Sequence, residues 1–166
     1  MDDTLSSLAK TCHKLLSTFP GPIGRNKVAA LLSSILANPK KVDVLIPSST
    51  GERELLYEDP DLGFCILAHS YHEPKMSPPH DHGPSWAIYG QARGETEMCD
   101  YELISPASAT KPGKVKKIRT YKLMPGDTYV YNEGDLHSPQ RTASTSLLRI
   151  EGMDMGKVER FRYEVE

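Results

Sequence analysis

The chain has 166 residues, 38% of them hydrophobic and 25% charged, with a net charge of −2 at neutral pH. That is the size of one domain with a substantial core, and the charge gives no electrostatic reason to expect nucleic acid or an anionic membrane as partner. No apolar run approaches the roughly 18 residues that a membrane span needs.

The opening stretch MDDTLSSLAK is acidic and then amphipathic. It lacks the basic region and apolar stretch of a secretory signal, so a cytoplasmic location is the expectation. Asp2 and Asp3 stand where a helix N-terminus favours negative charge. Leu5, Leu8, Cys12, Leu15, Leu16 and Phe19 recur at three- and four-residue spacing and predict a first helix. PGPIG (Pro20 to Gly24) stops it. Val28, Leu31, Leu32, Ile35 and Leu36 predict a second helix, which Asn38-Pro39 ends. Residues 1–38 are thus read as a helical segment packed on whatever follows.

From residue 39 to 166 the pattern changes. Short β-rich runs alternate with turn signals: VDVLI, RELLYED, GFCILAHSY, SWAIYG, ETEMCDYELI, KKIRTYKLM, DTYVYN, TSLLRIEG and RFRYEV. Many short strands without intervening helices predict an antiparallel sandwich or barrel within the same single domain. Ser105 to Lys117 reads as a long hairpin tip. The basic run Lys111, Lys114, Lys116, Lys117 and Arg119 is read first as a solvated surface and second as an anion patch. Cys12, Cys65 and Cys99 are odd in number and far apart, which argues against a disulfide framework or a thiolate metal site.

The chemistry concentrates in SPPHDHGPSWAIYG (Ser77 to Gly90). In a strand, residues i and i+2 share a face, so His80 and His82 would present two imidazoles together and Asp81 would point away. A third histidine, His137, lies in GDTYVYNEGDLHSPQR: Gly126, five residues, Asn132, one residue, Gly134, two residues, His137.

These two segments resemble the paired motifs of the cupin superfamily over most of Val42 to Ile150. His80, His82 and Gly94 match the first motif; Gly126, Gly134 and His137 match the second. The motif Glu falls at Trp86 or Ala87, Asn132 replaces the motif proline, and Arg141 stands in place of the final Asn. The resemblance implies a mainly β cupin double-stranded β-helix (jelly-roll) barrel with N-terminal α-helices outside it. It also implies a metal site of three neutral histidines with no carboxylate.

Within cupins, such a site is similar to that of the cysteine dioxygenase (thiol dioxygenase) family. The likeness implies Fe(II) as metal, with Zn, Mn and Ni as alternatives that three imidazoles also accept. The implied activity is oxidation of a small thiol by O2, with a carboxylate on the thiol held by Arg53. By residue chemistry alone, Arg53 serves equally as a salt-bridge partner of Glu52, Glu54 or Glu58. The family's Ser–x–His–x–Tyr relay has only a Ser counterpart, Ser146, because the next two members fall on Leu148 and Ile150.

His69 and Tyr71 share a strand face with Cys65 and Leu67. They are either the missing base and donor or a core pair. Tyr131 (beside Tyr129) is either a donor to bound oxygen or core, and Trp86 is either a pocket wall or, preferably, core. Asp81 makes a structural hydrogen bond or orients a ligand imidazole. His13 and His72 receive no role. Two further functions stay open: a metal-dependent lyase, isomerase or hydrolase without redox chemistry, and a non-enzymatic small-acid-binding module. The expected partners are a small substrate, O2 and a second copy of the chain.

Overall fold

The structure, a computed structural model, describes residues 3–166; Asp2 lies outside the described residues. Helix α1 (Asp3–Thr18) buries Leu8, Ala9 and Cys12. Its predicted stripe ends in Phe19, which stays 39% exposed beneath the Lys27 ammonium. The PGPIG breaker also starts the next helix. Pro22 occupies the first turn of α2 (Pro22–Leu36), a position that needs no backbone N–H.

VDVLI, read above as a strand, is the end of a third helix, α3 (Pro39–Leu45). The reason is local: the Asn38 side chain accepts from the Lys40 and Lys41 backbone N–H groups, and Pro39 again fills the first turn. A capped start overrides the β-preference of two valines.

Ten strands follow: β1 (Glu54–Glu58), β2 (Cys65–Tyr71), β3 (Lys75–Met76), β4 (Ala87–Arg93), β5 (Thr96–Ser105), β6 (Gly113–Leu123), β7 (Thr128–Tyr131), β8 (Leu136–Arg141), β9 (Thr145–Glu151) and β10 (Tyr163–Val165). They form two five-stranded sheets, ordered β1-β2-β9-β4-β7 and β10-β6-β5-β8-β3. Every pairing is antiparallel except β10 with β6. Without the outer strands β1 and β10, the orders β2-β9-β4-β7 and β3-β8-β5-β6 are those of a jelly roll. The fold is the mainly β double-stranded β-helix with N-terminal helices.

Two cores result. On the outer face of the first sheet, Ile66, Ala68, Ile88, Leu148 and Ile150 pack against Val28, Leu32 and Leu36 of α2 and against Leu8 and Cys12 of α1. Each fully buried aliphatic side chain there contributes about 1.5–3 kcal/mol. The close fit requires Gly90, since a Cβ there would lie 2.7 Å from side-chain carbons of both Leu32 and Leu36. Inside the barrel a second cluster joins Tyr71, Ala87, Tyr89, Met98, Tyr131 and Leu147.

The segment after β9 crosses one end of the barrel. Asp154 caps a short 3-10 turn (Met155–Lys157), and Glu164 of β10 pairs with Lys114 at 2.7 Å. Two more residues of the basic run have acidic neighbours: Lys116 lies 3.8 Å from Glu102, and Arg119 bonds Asp100. No described helix is long and apolar enough to cross a membrane. The three cysteines are buried free thiols, and burial pushes Cys12 up to about 12 and Cys65 up to about 11.

Candidate metal centre

His80 and His82 do not lie in a regular strand. His80 makes an isolated antiparallel bridge with His137 on β8, each backbone N–H donating to the other's carbonyl at 2.9 Å. His82 then begins a turn whose Gly83 adopts φ +54°. This bridge draws all three rings together. Their centroids lie 4.6 Å apart for His80–His137, 5.1 Å for His82–His137 and 5.7 Å for His80–His82. One ring nitrogen from each falls within 4.8 Å of the others.

The hydrogen bonds fix which nitrogens converge. His80 Nδ1 donates to the Pro78 carbonyl and His137 Nδ1 donates to the Asp135 carbonyl, both at 2.9 Å. Each Nδ1 thus carries the proton and each Nε2 presents a lone pair. His82 is 1% exposed and neither of its ring nitrogens has a partner. A buried polar atom without a partner costs roughly 1–3 kcal/mol, so this arrangement calls for something to bind. Burial holds all three imidazoles neutral: His80 is brought down to about 4, and His82 and His137 lie far below the ordinary histidine value. Neutral imidazoles with exposed lone pairs are what a divalent transition metal accepts. No carboxylate joins this group among the described residues. The side chains present therefore fit a three-histidine metal site.

Tyr89, which sequence reasoning passed over, belongs to this centre. It is fully buried on β4, and its hydroxyl lies 3.3 Å from His137 Nε2. Strand parity with Ala87 was the available signal. Tyr131 stacks on His137 with ring centroids 3.7 Å apart and planes 15° apart, while its hydroxyl bonds Tyr121 and so faces away from the histidines.

His69 and Tyr71 do lie on the inner face of β2, in contact with each other: the Tyr71 hydroxyl is 3.2 Å from His69 Nδ1, which also meets the Glu52 carbonyl at 2.7 Å. His69 Nε2 is enclosed and has no partner, and burial holds this ring neutral too. Asp81 accepts from the Gly83 N–H at 3.0 Å and from the Tyr163 hydroxyl at 3.3 Å.

Two expected substrate contacts lie elsewhere. Arg53 is held by Asp154 at 2.7 Å and by Glu151 at 3.5 Å, so its guanidinium already has carboxylate partners. None of these is Glu52, Glu54 or Glu58: Glu52 pairs with Lys75, Glu54 accepts from the Gly51 N–H, and Glu58 faces Lys157. Trp86 packs with the helices on the outer side of the sheet, 5.2 Å from the Arg25 guanidinium carbon. Arg25 also donates to Asn132 Oδ1 at 2.8 Å, which gives the replaced motif proline a use in pinning α2 to the turn before His137.

The relay strand is shifted by one residue relative to the sequence reading. On β9, Leu148 and Ile150 face the helices, while Leu147 joins the barrel interior. Arg149 shares that inward parity and stacks on Tyr89, its guanidinium carbon 4.1 Å from the ring centroid. Ser146 faces outward and lies 3.2 Å from Ser70 Oγ.

A cavity of about 730 Å3 opens beside the histidines, bounded by His80, Tyr71, Tyr89, Arg141, Arg149 and Arg160. Its charged lining is mostly cationic: Arg141, Arg149, Arg160 and Arg162 stand against Glu164, which is paired with Lys114.

A pH dependence follows from the neutral histidines. Below about pH 6.5 the unfolded chain binds protons that folded His69, His80, His82 and His137 refuse. The metal-free protein is therefore fully stable above that pH and loses up to about 1.4 kcal/mol per pH unit per histidine as pH falls through it. Thermal melts of the chelated protein from about pH 7 to about pH 4.5 should show a steep fall. A flat profile would mean that these rings are protonated in place.

No protein-family model matches the chain, and no curated protein matches it. Among solved structures it is similar to a cupin superfamily protein from Desulfitobacterium hafniense, with 14% identity, 61% of this chain and 76% of that one covered, and a TM-score of 0.43. It is similar also to KdgF from a Halomonas species, with 19% identity, coverages of 60% and 74%, and a TM-score of 0.43. A third is a cupin-2 domain containing protein from Shewanella frigidimarina, with 12% identity, coverages of 67% and 87%, and a TM-score of 0.43.

Proposed function

We propose that this chain is a metal-dependent oxidoreductase of the non-haem Fe(II) dioxygenase type, which oxidises a small thiol bearing a carboxylate with O2. The observation that carries the reading is the set of three sheltered, neutral imidazoles, His80, His82 and His137, converging without a carboxylate. Fe(II) held by three histidines would supply the redox chemistry and leave about three positions open for thiolate and oxygen.

The chain's own residues supply the rest. The Asp135 carbonyl fixes the His137 tautomer, and the stacked Tyr131 ring fixes its plane. Tyr89 places a hydroxyl donor beside the histidines, where an oxygen-bearing group would develop charge. Tyr71 borders the cavity and contacts His69, whose enclosed Nε2 is a base without a proton of its own. The thiol proton passes to solvent, and the Tyr71 hydroxyl offers the thiolate a hydrogen bond at the cavity wall. The mostly cationic wall favours an anionic ligand over a cationic one such as cysteamine.

The test is oxygen consumption by the iron-loaded protein against cysteine, cysteamine and 3-mercaptopropionate, with the product mass checked for sulfinate. Uptake matched to sulfinate is expected with the carboxylate-bearing thiols and not with cysteamine. No uptake with any of them, in protein shown to hold iron, would overturn the dioxygenase reading and leave a metal-dependent lyase, isomerase or hydrolase.

A further inference from the structure

Arg141 ends β8, the strand that carries His137, and is 1% exposed. Its Nε and Nη2 are both enclosed, and neither has a hydrogen-bond partner. Its one close neighbour of note is the Tyr71 ring, 4.4 Å from the guanidinium carbon. The groups whose charges act on it are Tyr71, Arg149 and Tyr89, and none is a carboxylate. Of the other guanidiniums here, Arg53 meets Asp154, Arg149 meets Glu151 at 3.2 Å through Nη1 while its Nε has no partner, and Arg160 and Arg162 are exposed.

The identity of the two orphaned atoms is informative. Nε and Nη2 form one edge of the guanidinium, with parallel N–H bonds spaced for the two oxygens of a single carboxylate. An enclosed, permanently charged fork without an anion is costly, and removing it from water costs several kcal/mol unless a partner restores the loss. Arg141 itself borders the cavity that His80 bounds on another side. We propose that Arg141 is the anion anchor of the cavity, receiving one carboxylate side-on while the other end of the same small acid lies toward the histidines. One unanswered enclosed cation and one two-donor edge fit a monocarboxylate. That the acid is the substrate rests on the thiol-oxidation reading; that Arg141 binds a carboxylate does not.

The experiment is isothermal titration of the full-length protein, metal-stripped and metal-loaded, with propionate, propionamide and inorganic phosphate. Propionate is expected to bind the parent at least about tenfold more tightly than propionamide, with or without metal. Arg141→Lys keeps the charge and loses the fork, and should weaken propionate by about 10- to 100-fold. Should the lysine variant not fold, Arg141→Met, which removes an unanswered charge, serves in its place. Propionate binding unchanged in the variant, propionamide binding equal to propionate, or a preference for phosphate would each overturn the assignment. Carboxylate binding lost in the variant, in a parent that oxidises no thiol, would sustain the anchor and sink the thiol reading. Thiol oxidation with an unchanged KM in the variant would do the reverse.

Discussion

His137→Ala should leave a folded protein that no longer retains a stoichiometric metal ion. Of the three histidines, His137 is the one mounted on regular structure: it lies within β8, is fully buried, and has its tautomer set by the Asp135 carbonyl. His80 is held beside it through their backbone bridge, and His82 has no hydrogen bond to steer its ring. Without the His137 lone pair, two imidazoles remain on an irregular segment, too few for the closed coordination of a tight transition-metal site. The substitution also leaves a space under the Tyr131 ring, and loss of a large buried ring costs about 3–5 kcal/mol. Part of that cost is offset, because a ring enclosed by burial and refused its proton is itself unfavourable. Metal content after gel filtration, set beside circular dichroism and a melting curve, separates loss of metal from loss of fold. His72→Ala is the matched control, since His72 is exposed and belongs to neither group of metal-capable side chains among the described residues. A His137→Ala protein that holds metal as well as the parent would show that the three histidines are not the ligands.

The fold was legible where one face of an element differs from the other. The stripe of α1 follows directly from periodicity. Legibility failed on β9, where Leu147, Leu148 and Ile150 are all fully buried because one face meets the helices and the other fills the barrel. With both faces apolar there is no alternation to set the parity, and a one-residue slip exchanges every side chain. That slip hid Arg149. Arg141 and Glu151 were hidden for a different reason: charged residues are ordinarily exposed, so composition gives no cue to an enclosed guanidinium or carboxylate. The histidines, by contrast, were legible because few residue types bind metals and their spacing survived the loss of regular strand at His80. What sequence could not supply was the bridge that makes His137 their neighbour.

Glu151→Ala should lower stability by about 3–5 kcal/mol, and the melting temperature by roughly 6–20 °C for a chain of this size. Glu151 is 1% exposed at the end of β9. One carboxylate oxygen accepts from Arg149 at 3.2 Å; the other meets Arg53 at 3.5 Å and the Met155 backbone N–H at 3.4 Å. It is therefore a single anion shared by the barrel interior and by the segment that crosses the barrel's end. Truncation leaves the Arg149 guanidinium, only 13% exposed, without a carboxylate and close to the already unanswered Arg141. The cost is that of stranding a charge rather than the net worth of the pair, which separates two variants. Glu151→Gln keeps an acceptor oxygen and loses the charge, so it should fall between parent and alanine. Arg149→Met combined with Glu151→Leu removes both charges and should recover most of the loss. Carboxylate ligands should stabilise Glu151→Ala more than they stabilise the parent, because the variant offers them a second enclosed guanidinium. A Glu151→Ala protein melting within about two degrees of the parent would mean that solvent reaches Arg149 and that the interior is not a low-dielectric anion site at all.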